Sequence, residues 1–134
     1  MGFRFEFDPT NRILLMRLEG RLTDELLADC YRAVRKYSTA TDAMVGIWDM
    51  SAVTEFATSS EFIRQLASEE PAMPDATRRP RIICVAGTVG YGLAHMFQIM
   101  GEPTRPLLRV VHNLDEALET IGIQSPHFEP IELP

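Results

Sequence analysis

Residues 44–60, MVGIWDMSAVTEFATSS, decide how this chain is read. Met44, Val45, Ile47 and Trp48 form an apolar run of strand type that closes on an acid, Asp49. Small and hydroxylated residues follow. Thr58-Ser59-Ser60-Glu61 then has the pattern of a capping box, in which an N-cap hydroxyl accepts a first-turn N–H and a carboxylate three residues on reaches back. A buried strand that hands a polar loop to a helix start is where α/β proteins place function. The stretch predicts a third strand over 44–50, a turn at Asp49, Met50 and Ser51, and a helix capped by Thr58 with Phe62, Ile63, Leu66 and Ala67 on its buried face.

Upstream, Phe3, Phe5 and Phe7 alternate with Arg4, Glu6 and Asp8, the period of a half-buried strand. Asp8-Pro9-Thr10-Asn11 has turn chemistry, since proline sets φ and Asp and Asn bond local backbone. A second strand over 12–19 completes an antiparallel hairpin. Gly20 ends it, and a helix begins near Thr23 with Asp24 and Glu25 in its first turn, where the helix dipole favours negative charge. Leu22, Leu26, Leu27, Cys30, Tyr31 and Val34 recur on one face of it.

Downstream, 71–80 holds three prolines without periodicity and reads as a surface loop. Residues 82–86, IICVA, are apolar on both faces, as an interior parallel strand requires. Gly87 and Thr88 turn the chain into a third helix, with Val89, Leu93, Met96, Phe97 and Met100 at buried spacing. A strand over 107–112 and a short helix opened by Asn113 follow. The order is β-β-α-β-α-β-α-β-α. It predicts an α/β fold: one domain over residues 1–123, with a mixed sheet that begins as an antiparallel hairpin, continues in parallel strands and carries packed helices. Residues 124–134, with Pro126, Pro130 and Pro134, are expected to form an irregular tail and no element.

A formal net charge of −6 over 134 residues argues against a general nucleic-acid binder. Arg78, Arg79 and Arg81 beside the proline-rich loop are read as a solvated rim, with an anion site as the sharper alternative. Cys30 and Cys84 have no CxxC or His/Cys neighbours, so no metal site is expected and the thiols read as core residues of a reduced, cytoplasmic protein. No apolar run reaches the length of a membrane span, and the N-terminus is not that of a signal peptide. No cofactor motif stands out. Gly87, Gly90 and Gly92 follow a strand, but their GxxGxG spacing is neither a dinucleotide fingerprint nor a P-loop and fits close helix–sheet packing.

The element order, together with Asp49-Met50-Ser51 between a buried strand and a capped helix, resembles the STAS domain over about residues 3–122. The stretches LLMRLEGRLTDEL, WDMSAVTEF, GYGLAHMFQ and LDEALETIGI are similar to its SpoIIAA-like (STAS/SEC14) group. The resemblance implies an anti-sigma-factor-antagonist-like fold and places Thr58 at the phosphoacceptor position of the antagonist branch. Ala57 stands where that branch usually has aspartate.

Three groups of residues are candidates for function. Thr58 and Ser59 are a helix cap or a phosphoacceptor. Asp49, Ser51, Thr54 and Glu55 form a turn and partner-docking loop, with Asp49 bonding the N–H groups beyond it rather than acting as a base. Tyr91, His95 and Gln98, at i, i+4 and i+7, make a polar stripe on a ligand or interface helix. No acid–base pair or activated nucleophile can be assembled, so the expected function is a non-catalytic regulatory protein-interaction module with a protein partner. Pairing with a second copy is a further expectation. The alternative is a carrier of a lipid or small apolar ligand, its cavity lined by the second and third helices.

Overall fold

In the computed structural model, which describes residues 2–133, the period-two phenylalanine strand becomes β1 (Phe3–Asp8), antiparallel to β2 (Ile13–Thr23). Asp8 makes the turn between them: Oδ1 accepts from the N–H groups of Thr10 and Asn11, and Oδ2 from the Asn11 side chain at 2.7 Å. Then come α1 (Asp24–Ala40), β3 (Val45–Ala57), α2 (Ser60–Ser68), β4 (Arg81–Cys84), α3 (Thr88–Gly101), β5 (Leu108–Val111), α4 (Leu114–Thr120) and β6 (Glu129–Ile131). The sheet runs β5-β4-β3-β2-β1-β6, parallel from β2 to β5 and antiparallel through β1 and β6. This is the mixed α/β sheet the sequence predicts.

The successive parallel crossovers move one way along the sheet, so right-handedness puts α1, α2 and α3 on one face. Leu14, Met16, Leu18 and Ile83 meet Leu27, Val34, Ile63 and Leu66 there. On the other face Ile13, Leu15, Ile47 and Ile82 pack under Ala117 and Leu118 of α4. Strands between these layers are apolar on both sides, as buried parallel strands must be.

Three expectations are corrected. Residues 124–134 were expected to form no element, yet β6 pairs with β1, Phe5 opposite Ile131 and Phe7 opposite Glu129. Pro130 is tolerated because an outermost strand leaves one row of backbone groups unpaired. Asp8 reinforces the join by accepting the His127 N–H, and the Tyr37 hydroxyl accepts that of Leu133.

The third strand does not stop at residue 50. It continues to Ala57 because the end of β2 continues beside it, past Gly20 at φ 81°, pairing Leu22 with Phe56 and Thr23 with Ala57. Two register shifts put extra residues on β3 between Asp49 and Ala52 and between Val53 and Glu55, the geometry of β-bulges. Asp49, Ser51, Thr54 and Glu55 therefore lie in a strand, not in a turn and loop.

Finally, α3 departs from its expected setting at its two ends: Leu93, Met96 and Phe97 pack against the core as expected, whereas Val89 and Met100 do not. Its buried positions are the small residues Gly90, Ala94 and Gly101, while Val89 is 66% exposed and Met100 38%.

Candidate functional site

β4 pairs with β3 only as far as Asp49. Beyond it, among the described residues, β3 has β2 on one side and no strand on the other. β1 leaves β2 after Leu18, so the ends of β2 and β3 project as a two-stranded ribbon whose β3 edge is open beside α3. Such an edge presents unpaired backbone donors and acceptors, and it is a template for an incoming strand. Ser51, Thr54 and Glu55 are exposed along it, Glu55 in an ion pair with Arg21 of 2.9 Å.

Asp49 lies at the base of the ribbon on the α4 face. Its Oδ1 accepts from the Ser51 N–H at 3.1 Å and the Ser51 hydroxyl at 2.6 Å, and its Oδ2 from Arg17 at 3.1 Å. Arg17 also donates to Glu6. This cation shared by two carboxylates fastens β1, β2 and β3 together. The local bond from Asp49 to Ser51 is the one expected from sequence, made inside a bulged strand. With its acceptors engaged, Asp49 is a structural acid.

The two hydroxyls at the start of α2 differ from expectation in role. Ser59 is the N-cap and accepts the Phe62 N–H at 3.1 Å. Asp24, in the first turn of α1, accepts the Ser59 N–H at 3.0 Å and lies 3.3 Å from its hydroxyl oxygen, tying the two helix starts together. Thr58 does not cap. Its Oγ1 is buried without a partner, beside an internal cavity. Of the pair, Ser59 is the exposed one.

The polar stripe of α3 does not face solvent alone. Tyr91 stacks on His112 at 4.7 Å with ring planes 3° apart and meets His95 edge-on, and Gln98 donates to the Leu108 carbonyl at 3.0 Å. These side chains bind α3 to the β5 side of the sheet. They lie on one helix flank and tie it to the neighbouring chain. The outward face is instead apolar, with Val89, Ile99 (68% exposed) and Met100 along it. The first turn of this helix touches the ribbon: a Cβ on Gly90 would lie 2.4 Å from the Phe56 ring. Only glycine admits that approach.

Between the sheet and helices α1, α2 and α3 lies a cavity of about 80 Å³. Trp48, Phe56, Leu66, Leu93 and Phe97 line it, with two arginines. Arg105 is 2% exposed and engaged through both terminal nitrogens: it donates to the carbonyls of Leu66, Ala67 and Glu69 and to the Tyr31 hydroxyl, and lies over the Phe97 ring. A cation at the C-terminal carbonyls of α2 is stabilised by the helix dipole and by charge-assisted hydrogen bonds. Arg81 is 7% exposed, and its Nε and Nη2 have no partner. Burial, and secondly the charge of Arg105, lower its pKa to about 10, so it remains a cation at neutral pH. The expectation that Arg78, Arg79 and Arg81 form a solvated rim holds for Arg78 and fails for Arg81. Alternation in β4 could have revealed this, because Arg81 shares a face with Ile83.

Both cysteines are buried, and burial pushes each thiol up to about 12, which makes neither a nucleophile near neutral pH. Among the described residues no group of three His, Cys, Asp or Glu side chains could hold a metal ion, and no helix is long and apolar enough to cross a membrane.

No protein-family model matches the chain, and no curated protein matches it. Five solved chains do. One is the anti-sigma factor antagonist SpoIIAA in its unphosphorylated form, at 13% identity and a TM-score of 0.59, over 92% of this chain and 99% of that one. The likeness establishes the fold, which is the SpoIIAA-like STAS fold inferred from sequence.

Proposed function

We propose that this chain is a non-catalytic regulatory protein-interaction module of the STAS type. Its docking surface is the ribbon after Asp49, continued by the start of α2 and the outward face of α3. The observation that carries this reading is the unpaired edge of β3 after Asp49, with Val89 exposed in the first turn of α3, the turn that touches the ribbon. Ile99 and Met100 stand in solvent at the other end of that helix. An unpaired strand edge offers backbone donors and acceptors to a partner, and exposed apolar side chains along the adjoining helix extend the surface it can bury. The likeness to an anti-sigma factor antagonist supports it. The candidate residues take separate roles: Ser51, Thr54 and Glu55 as edge contacts, Asp49 as the brace behind them, and Ser59 as the hydroxyl that a modifying enzyme would reach. A phosphate on Ser59 would face the Asp24 carboxylate and break the tie between α1 and α2.

The lipid-carrier alternative fares worse. About 80 Å³ is far below the pockets of about 300–1,000 Å³ that hold drug-sized ligands.

The test is capture of a partner from the source cells, followed by binding measured with the purified partner. Ile99→Glu should weaken that binding at least tenfold while leaving the circular dichroism spectrum unchanged. Glu119→Lys, on α4 across the sheet, should leave it alone. Light scattering on the isolated chain decides whether the partner is a second copy. Equal binding by the Ile99 variant and wild type, or a monomer with no partner, would overturn the proposal.

A further inference from the structure

Both terminal nitrogens of Arg105 donate to carbonyls and hydroxyls, whereas Arg81 beside it offers Nε and Nη2 to nothing. Among the described residues, no carboxylate forms an ion pair with either guanidinium. A buried cation without a counter-charge is a standing electrostatic penalty. Two such cations line one cavity. The site is also built to hold Arg81 where it is, because its stem lies against Gly46, with Cγ 3.5 Å from where a Cβ would stand.

The chemistry of the vacant atoms narrows the ligand. Nε–H and one Nη–H of a guanidinium form a planar two-point fork that matches the two oxygens of a carboxylate. Most of the remaining lining is apolar, with the buried, unpartnered Thr58 hydroxyl as a further polar group. The volume, about 80 Å³, limits the occupant to a handful of heavy atoms. We propose that this cavity is a binding site for a small monocarboxylate with a short alkyl body, of acetate to butyrate size, gripped by Arg81. This does not rest on the docking surface proposed above, and either can fail without the other.

The chain carries a single tryptophan, Trp48, which lines the cavity, so its emission reports occupancy. Sodium acetate, propionate and butyrate would be titrated at constant ionic strength against chloride and phosphate, with calorimetry in parallel. The expected result is a saturable change with at least one carboxylate, and none or a far weaker one with chloride and phosphate. Arg81→Met keeps the stem and removes the fork; it should raise the dissociation constant at least tenfold, while the ligand-free protein melts no lower than wild type because an uncompensated charge has gone. Arg81→Lys, which retains charge without the fork, should bind more weakly than wild type. The proposal is overturned if none of the three carboxylates gives a saturable response, if chloride or phosphate matches them, or if Arg81→Met binds as wild type. Should Arg81→Met fail to fold, the wild-type titration and the lysine variant decide.

Discussion

Gly90 and Gly92 stand two residues apart in α3, and replacing each by alanine should move stability in opposite directions. Alanine in a helix interior is favoured over glycine by about 0.8–1.0 kcal/mol. At Gly92, exposed and with nothing within 4 Å of a new Cβ, that gain should be expressed almost whole. The melting temperature should rise by about 2–4 °C for a chain of this size. At Gly90 the same Cβ would lie 2.4 Å from Cζ and 2.5 Å from Cε2 of Phe56. Carbon atoms rest about 3.5–4.0 Å apart, so the ring or the helix must shift by more than an ångström. Overpacking of this kind costs about 1–3 kcal/mol, which cancels or exceeds the propensity gain. The two variants should therefore differ by roughly 1–3 kcal/mol although their local chemistry is identical. Urea denaturation followed by Trp48 emission and by circular dichroism measures both. Repeating the pair in a Phe56→Leu background completes a double-mutant cycle, in which the penalty at Gly90 should shrink and the gain at Gly92 should not change. If Gly90→Ala proves as stable as Gly92→Ala, or its penalty survives the loss of the ring, the close approach of α3 to the ribbon is wrong.

Other substitutions probe the remaining parts of the site. Ser59→Ala should cost about 0.5–2 kcal/mol through the lost cap, while Thr58→Val should be neutral or stabilising, the reverse of what the capping-box pattern predicts. Arg105→Met should cost about 3–5 kcal/mol, in the range for losing one partner of a buried charged network, since it strands the last carbonyls of α2. Burial alone would raise the Asp8 pKa, but hydrogen bonds from Asn11, His127 and Thr10 outweigh it and hold the carboxyl below its ordinary value. A depressed folded-state pKa gives stability that is complete above the unfolded value, about 3.9, and is lost as pH falls through the folded value. Asp8→Asn should flatten that part of the acid unfolding curve and cost about 1–3 kcal/mol at neutral pH, measured by denaturation across pH 2–7.

Most of the fold was legible because periodicity carries it. The phenylalanine alternation of β1, the two-sided apolar run at β4 and the stripe on α1 each announce their partners. Asn113 caps α4 as the sequence suggests, its side chain accepting from the Glu116 N–H at 2.8 Å. What stayed hidden depends on a neighbour that no local pattern encodes. Ser51 to Ala57 reads as a loop because its small and hydroxylated residues lack strand character; it is a strand because residues 19–23 run beside it. The capping box at Thr58 failed by one residue, since two hydroxyls stand in tandem and the chosen register is the one Asp24, far away in sequence, can hold. On α3 the large apolar residues in the middle, Leu93, Met96 and Phe97, do face the core, but Val89 and Met100 at the ends do not, and at the first turn the approach to Phe56 admits only glycine. Arg81 was misread through its company: beside two other arginines and a proline it looked superficial, although its position next to an apolar strand run had already set it inside.

The pairing of β6 with β1 has a bearing on how the chain comes to be folded. The first strand of this sheet in chain order is completed by the last. As the polypeptide leaves the ribosome, the hairpin of β1 and β2 is available early, with a row of backbone amides and phenylalanine side chains on its outer margin and nothing to cover them. A ladder joining opposite ends of the sequence closes late, because its loop-closure entropy must be met before its contacts are rewarded. Until then the open margin is the part of the molecule most prone to recruit a strand from a neighbouring nascent chain. The tether from Asp8 to the His127 amide lies at the point where that margin is finally sealed, so weakening it should show first in the yield of soluble protein and only afterwards in the melting temperature.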